Sequence, residues 1–173
     1  MIPDYDALAR LAELNGFTGW APLDVSAIRL KPAVRRMCAD DLCGQYGRCW
    51  SCPPGCGTLE ACDARIRQYA RGILVQSCGD LRDCDALEAA HLERFSAMYA
   101  ALRDAGARVL ALGAGYCRIC PECTYPHHPC RYPDRMVCSM EACGMLVAEV
   151  CAASGLRYFY GPDKLAFTSC FLT

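Results

Sequence analysis

Lysine is nearly missing from this chain: Lys31 and Lys164 are the only two, and arginine supplies the remaining positive charge. Excess charge of either sign is missing too, with 18 basic against 19 acidic residues, so no electrostatic footprint favours nucleic acid as a partner. No stretch approaches the 18 or more uninterrupted apolar residues of a spanning helix, which argues against a membrane partner. The opening Met1-Ile2-Pro3-Asp4-Tyr5-Asp6 lacks a basic and then apolar leader, so the expected compartment is cytoplasmic. Also missing are a Ser-His-Asp order, a phosphate-cradling glycine loop and a zinc-protease helix, so ordinary hydrolase and nucleotide chemistry has no support. Histidine is scarce, at three residues.

Cysteine is what the chain has in abundance, with 16 in 173 residues. A secreted disulfide scaffold is one reading of that number. A chain that is 54% apolar and 21% charged can fold on a hydrophobic core, however, and a cysteine-rich chain in a reducing compartment points to metal or redox chemistry. The length fits one domain, taken as residues 1–173.

Periodicity predicts a helix over 4–15 with Leu8, Leu11 and Leu14 near one face, capped by Asp4 and ended by Gly16. Residues 23–30 read as a strand and 31–57 as a long loop. Thr58 caps a helix over 59–70 with Leu59, Cys62, Ile66 and Tyr69 inward, and Ile73-Leu74-Val75 is a short buried strand. A helix over 86–105 carries the stripe Leu92, Phe95, Tyr99 and Leu102, with Asp85 and Glu88 as a capping-box-like pair. A strand over 107–112, an irregular loop over 113–138, a helix from Ser139 to Ser154 and closing strands over 157–160 and 165–172 complete the order. The expected fold is α/β or α+β, with a mixed central sheet flanked by helices and two long cysteine-rich metal-binding loops.

The first loop holds Cys38, Cys43, Cys49, Cys52 and Cys56. Gly44, Gly47, Gly55 and Gly57 permit the tight turns that would bring thiolates together, and Pro53-Pro54 stiffens the exit. Cys49 and Cys52 are the closest pair, and spacing alone does not decide which thiolates bind. The second loop reads Cys117-x2-Cys120-x2-Cys123-x6-Cys130, directly after a predicted strand. Three thiolates at steps of three suit the corners of a cubane, and bacterial ferredoxin runs share those first steps. Here the fourth cysteine follows after six residues, so the likeness is one of ligand geometry. Arg118, Arg131 and Arg135 would offset cluster charge. Zinc competes, because Cys-x2-Cys pairs make tetrahedral sites and His127 or His128 would supply nitrogen, although beside prolines these two histidines read more readily as solvated turn residues. Cys62, Cys143 and Cys151 fall on inward helical positions and read as core filling, as Cys78, Cys84 and Cys170 do on or near strands. Cys138 is a reserve ligand close to the second loop.

The stretches CADDLCGQYGRCWSCPPGCG and GAGYCRICPECTYPHHPCRYPDRMVCSMEACG resemble the predicted metal-binding proteins grouped as domain of unknown function 2284, over about residues 34–172. The resemblance implies ligands at Cys38, Cys43 and Cys52 in the first loop and Cys117, Cys120, Cys123 and Cys130 in the second. Family positions also match at Gly44, Tyr46, Gly47, Trp50, Pro53, Pro54 and Ser139 to Ala142. Tyr116 departs from the family's frequent proline, and Cys49, Cys56, Cys138 and Cys143 look like additions, which leaves Cys49 and Cys56 as reserve ligands beside Cys138. Together these readings predict one or two [4Fe-4S] clusters, or alternatively zinc. Function is expected in electron transfer or as a redox accessory with a redox partner protein. The alternatives are an enzyme with an open iron on a three-cysteine cluster and a zinc-stabilised interaction module. Glu141 and His91 read as surface or packing groups on helices.

Overall fold

The computed structural model describes residues 3–173, so Met1 and Ile2, on which part of the leader argument rests, lie outside the described residues. The chain forms an α+β structure around a five-stranded mixed sheet of order β1-β2-β5-β3-β4. The strands are β1 (Gly19–Asp24), β2 (Arg71–Asp80), β3 (Leu110–Gly113), β4 (Cys138–Ser139) and β5 (Lys164–Leu172). β2 pairs antiparallel with β1 and β5, and β5 antiparallel with β3, while β3 and β4 run parallel.

Alternation along the central strands makes two cores. Ile73, Val75 and Phe171 face one side, where Leu8 and Ala12 of α1 (Tyr5–Leu14) and Phe95, Met98 and Leu102 of α4 (Cys84–Asp104) cover them. Leu74, Cys170 and Leu172 face the other side, under Cys62 and Ile66 of α3 (Leu59–Ile66) and Val147, Val150 and Cys151 of α5 (Val147–Ala153). The remaining helix, α2 (Pro32–Ala39), carries Cys38 near its end.

Asp4 and Thr58 cap α1 and α3 through their side chains, as the sequence predicts. Other boundaries differ. Leu14 is exposed, because Ala12 is the residue one turn after Leu8 that packs. The strand expected at 23–30 lies at Gly19–Asp24 and gives way to a single 3-10 turn, since Asp24 accepts from Ser26 N and turns the chain. Residues 32–39 of the first loop are helical, with Pro32 at the first turn where its missing N–H costs nothing. α3 stops at Ile66, four residues before the expected end. The short strand expected at 73–75 spans ten residues. α4 starts without a side-chain cap, and His91 and Met98 belong to its buried stripe. The helix expected from Ser139 begins only at Val147: Ser139 Oγ accepts from Ala142 N and a tight turn follows, with Gly144 at φ +90°. Residues 157–160 form no strand.

No helix among the described residues is long and apolar enough to cross a membrane.

Candidate metal centre

The two cysteine loops meet beyond the carboxyl ends of the parallel pair β3 and β4, where Gly113 opens the second loop and Ser139 closes it. Ser51 ties one loop to the other. Its buried hydroxyl accepts from Cys117 N at 2.9 Å and lies 3.3 Å from Cys49 Sγ. Trp50 adds three contacts: its backbone N–H points to Cys123 Sγ at 3.5 Å, its indole N–H donates to His128 O at 3.0 Å, and its ring meets Tyr125 edge-on at 4.9 Å. The chain passes so closely here that a Cβ on Gly55 would lie 2.6 Å from Cys49 O, which explains a glycine at that position.

Cys117, Cys120, Cys123 and Cys130 all border one cleft of about 30 Å³, together with Trp50, Ser51, Arg131 and Tyr132. The turn carrying Cys130 is held by Thr124 Oγ1 donating to Pro129 O and by Arg131 donating to Glu122 O. His127 and His128 are exposed and border no part of this cleft. Their exposure agrees with the reading of solvated turn residues beside prolines and not with the alternative of zinc ligands.

Cys38, Cys43 and Cys52 border a second, larger cavity of about 430 Å³. Its other walls include Tyr46, Glu88, Arg118 and Glu141. Burial, and then the carboxylate of Glu141, push the Cys38 thiol above its ordinary pKa. Burial likewise raises Glu141, which lies in the turn after β4 and not on a helix. Cys49 does not border this cavity. The Cys52 thiol donates to its sulfur and holds Cys49 down at about 6, while Cys52 itself is pushed up.

The arginines distribute differently from the expectation. Arg118 stands beside the larger cavity, pairs with Glu88 at 2.6 Å and lies over the Tyr116 ring. Arg135 turns to the Tyr132 ring and to a groove along α4, away from both cysteine-bordered spaces. Arg35 and Arg65, which the sequence does not single out, are the guanidiniums that reach sulfur.

Two reserve ligands, Cys56 and Cys138, point away from both cavities into the core. There Cys56, Cys62, Cys138 and Cys143 share one cluster, with Cys56 Sγ donating to Ala142 O at 3.6 Å. The neighbouring thiols of Cys143 and Cys56 hold Cys62 and Cys138 below the ordinary thiol range, while Cys56 and Cys143 are pushed up. Cys62 and Cys143 are thus buried, as core filling requires, but they face other thiols as well as aliphatic carbon. Cys151 and Cys170 are plain core residues whose thiols burial pushes up, Cys151 to about 11. His91 is also buried, between Ser77 and Ser169 at 3.0 and 2.7 Å, which makes it a packing group.

All sixteen cysteines are free, so disulfides do not staple this fold. Among the described residues, no three Cys, His, Asp or Glu side chains converge closely enough to close on one metal ion as they stand. Both cavities nevertheless fit a thiophilic group by donor chemistry, since each gathers soft sulfur donors from a structured loop. A lone tetrahedral zinc holds each sulfur at about 2.3 Å from one centre, whereas a cluster offers each thiolate its own iron across a wider frame.

No curated protein and no solved structure matches the chain significantly. The family model for DUF2284, described as predicted metal-binding protein, matches residues 21–173, and the chain therefore belongs to that family.

Proposed function

We propose that this chain is an iron–sulfur protein whose second loop holds a [4Fe-4S] cluster through Cys117, Cys120, Cys123 and Cys130, and that it serves in electron transfer or as a redox accessory. The observation that carries this reading is that these four thiols, at steps of three, three and seven residues, border one cleft. A cluster with four thiolate ligands keeps them in both oxidation states and so supplies one-electron transfer. The chain's own contribution is to fix the loop. Ser51 anchors Cys117, Trp50 directs an N–H at the Cys123 sulfur, and Arg131 brings positive charge beside Cys130. Exposed Ile119 and Tyr132 flank this loop and form the face for a redox partner protein. The net charge of −1 and the absence of a spanning helix among the described residues favour a protein partner over nucleic acid or membrane.

The first loop supports a second reading. Only three thiols, Cys38, Cys43 and Cys52, border a cavity of about 430 Å³, with room left for a small molecule. A cluster held there by three thiolates would leave one iron open as a Lewis acid. Glu141, Glu88, Tyr46 and Arg118 would then face whatever enters, which is the arrangement of an enzyme.

Anaerobic purification with iron, sulfide and zinc analysis tests the proposal. A brown protein with broad visible absorption and equal iron and sulfide supports it, and a colourless protein carrying zinc alone overturns it. Electron paramagnetic resonance with and without small added ligands separates the two readings: a spectrum that shifts identifies an open iron at the first loop.

A further inference from the structure

Four buried thiols lie outside both cavities. Cys56, Cys62, Cys138 and Cys143 are 4%, 0%, 4% and 2% exposed, and they come from the end of the first loop, α3, β4 and the turn after β4. The turn at Cys52–Gly57 closes on Cys56 N donating to Cys52 O, Thr58 caps α3 so that Cys62 lies in its first turns, and the Ser139–Gly144 turn brings Cys143 back toward Cys138. All four belong to one buried cluster, in which Cys56 Sγ donates to Ala142 O at 3.6 Å, beside Cys143, and Cys62 Sγ lies 3.9 Å from Cys56 O.

Two guanidiniums face this cluster. Arg35 Nη1 is 3.4 Å from Cys56 Sγ and 3.8 Å from Cys62 Sγ, and Arg65 Nη2 is 3.1 Å from Cys62 Sγ. Both are held by carbonyls, Arg35 by Ala142 O and Gly57 O at 2.7 Å each and Arg65 by Cys56 O at 2.9 Å. Both arginines are half-buried and turn their heads from open water to sulfur and carbonyl, an arrangement that plain core cysteines do not call for. Four thiolates around a divalent ion carry a net charge of minus two, which two arginines balance.

We propose that Cys56, Cys62, Cys138 and Cys143 form a separate, buried tetrathiolate site for a single thiophilic divalent ion, with zinc as the best fit. Four sulfur donors from four segments, closed to solvent, with no place for a fifth ligand, match a structural and not a catalytic site. The four thiols share one core cluster but do not close on an ion as they stand, so bonds of about 2.3 Å draw them inward when the ion binds. A cubane would have to spread them into packed core. Neither cysteine-bordered cavity is lined by any of the four. Binding releases the remaining thiol protons to solvent and pins α3 to the turn after β4.

The test is metal analysis and zinc-edge X-ray absorption on the full chain, purified anaerobically. The expected result is about one zinc per chain with four sulfurs at about 2.3 Å. That zinc stays in Cys38→Ser/Cys43→Ser and in Cys117→Ser/Cys120→Ser, which empty the two loops, and falls at least tenfold in Cys62→Ser. Cys143→His, which keeps a donor, retains zinc with three sulfurs and one nitrogen. Loss of zinc in either loop variant, an unchanged four-sulfur shell in Cys143→His, or a wild-type chain without zinc overturns the proposal; the loop variants settle it even if Cys62→Ser fails to fold. Iron and sulfide without zinc would leave the iron–sulfur reading standing and remove this one, and one zinc held by these four thiols without iron would do the reverse.

Discussion

Ser51→Ala isolates the joint between the two cysteine loops. Ser51 is fully buried, and its hydroxyl is the partner of Cys117 N at 2.9 Å and a neighbour of Cys49 Sγ at 3.3 Å. Alanine removes the acceptor and leaves the Cys117 N–H without it. An orphaned buried donor costs about 1–3 kcal/mol, and the Cys117 site is only partly buried, so the expected loss is about 1–2 kcal/mol. With a denaturant slope of about 2 kcal/mol per molar, the urea midpoint falls by roughly 0.5–1 M. The substitution deletes one oxygen and creates no large void, so a larger loss would mean that a metal contributes through the joint. Urea titration under anaerobic conditions, followed by circular dichroism, reads the midpoint, and iron release to a chelator reads the second loop in parallel. Ser96→Ala, on the exposed face of α4, is the control and should leave both unchanged. An unshifted midpoint with normal iron retention in Ser51→Ala would refute the claim that this hydroxyl couples the loops.

Three further outcomes are expected. Gly55→Ala places a Cβ 2.6 Å from Cys49 O and 3.0 Å from the Tyr125 ring, so it destabilises the fold by about 1–3 kcal/mol and loosens both loops, read as faster loss of iron absorbance. Arg35→Leu takes the donor from Ala142 O and Gly57 O, so α2 with Cys38 detaches first, and alkylation mapped by mass spectrometry finds Cys38 modified faster than in the wild type. His91 is held neutral by burial and by Arg94, with its pKa down at about 4 against an ordinary 6.5. The unfolded chain therefore takes up a proton that the folded chain refuses. This stabilisation is complete above pH 6.5 and fades as pH falls toward 4, by about 3 kcal/mol in all; denaturation of wild type against His91→Gln should show the two curves converging over that window, and parallel curves would contradict it.

Fold class was legible because patterning is local. Asp4 and Thr58 announced their helices, and the mixed sheet followed from strands alternating with helices. Boundaries failed where side chains compete with the backbone: Ser139 caps a turn, which one sequence pattern cannot separate from a helix start. The seven cysteines expected as ligands sort into two cavities, Cys117, Cys120, Cys123 and Cys130 around one and Cys38, Cys43 and Cys52 around the other. The cluster of Cys56, Cys62, Cys138 and Cys143 was illegible, because its members come together across more than 80 residues and two of them sit where an aliphatic side chain would serve. Arg35 and Arg65 were illegible for the same reason: only folding brings them to sulfur.

The most direct measurement is Mössbauer spectroscopy of the iron-57-enriched chain, wild type beside Cys120→Ser. The wild type should show sulfur-ligated iron in a cubane, and the variant should lose that signal from the second loop. Identical iron spectra in the two proteins, or a wild type devoid of iron, would contradict the reading of the Cys117–Cys130 loop as the seat of a cluster.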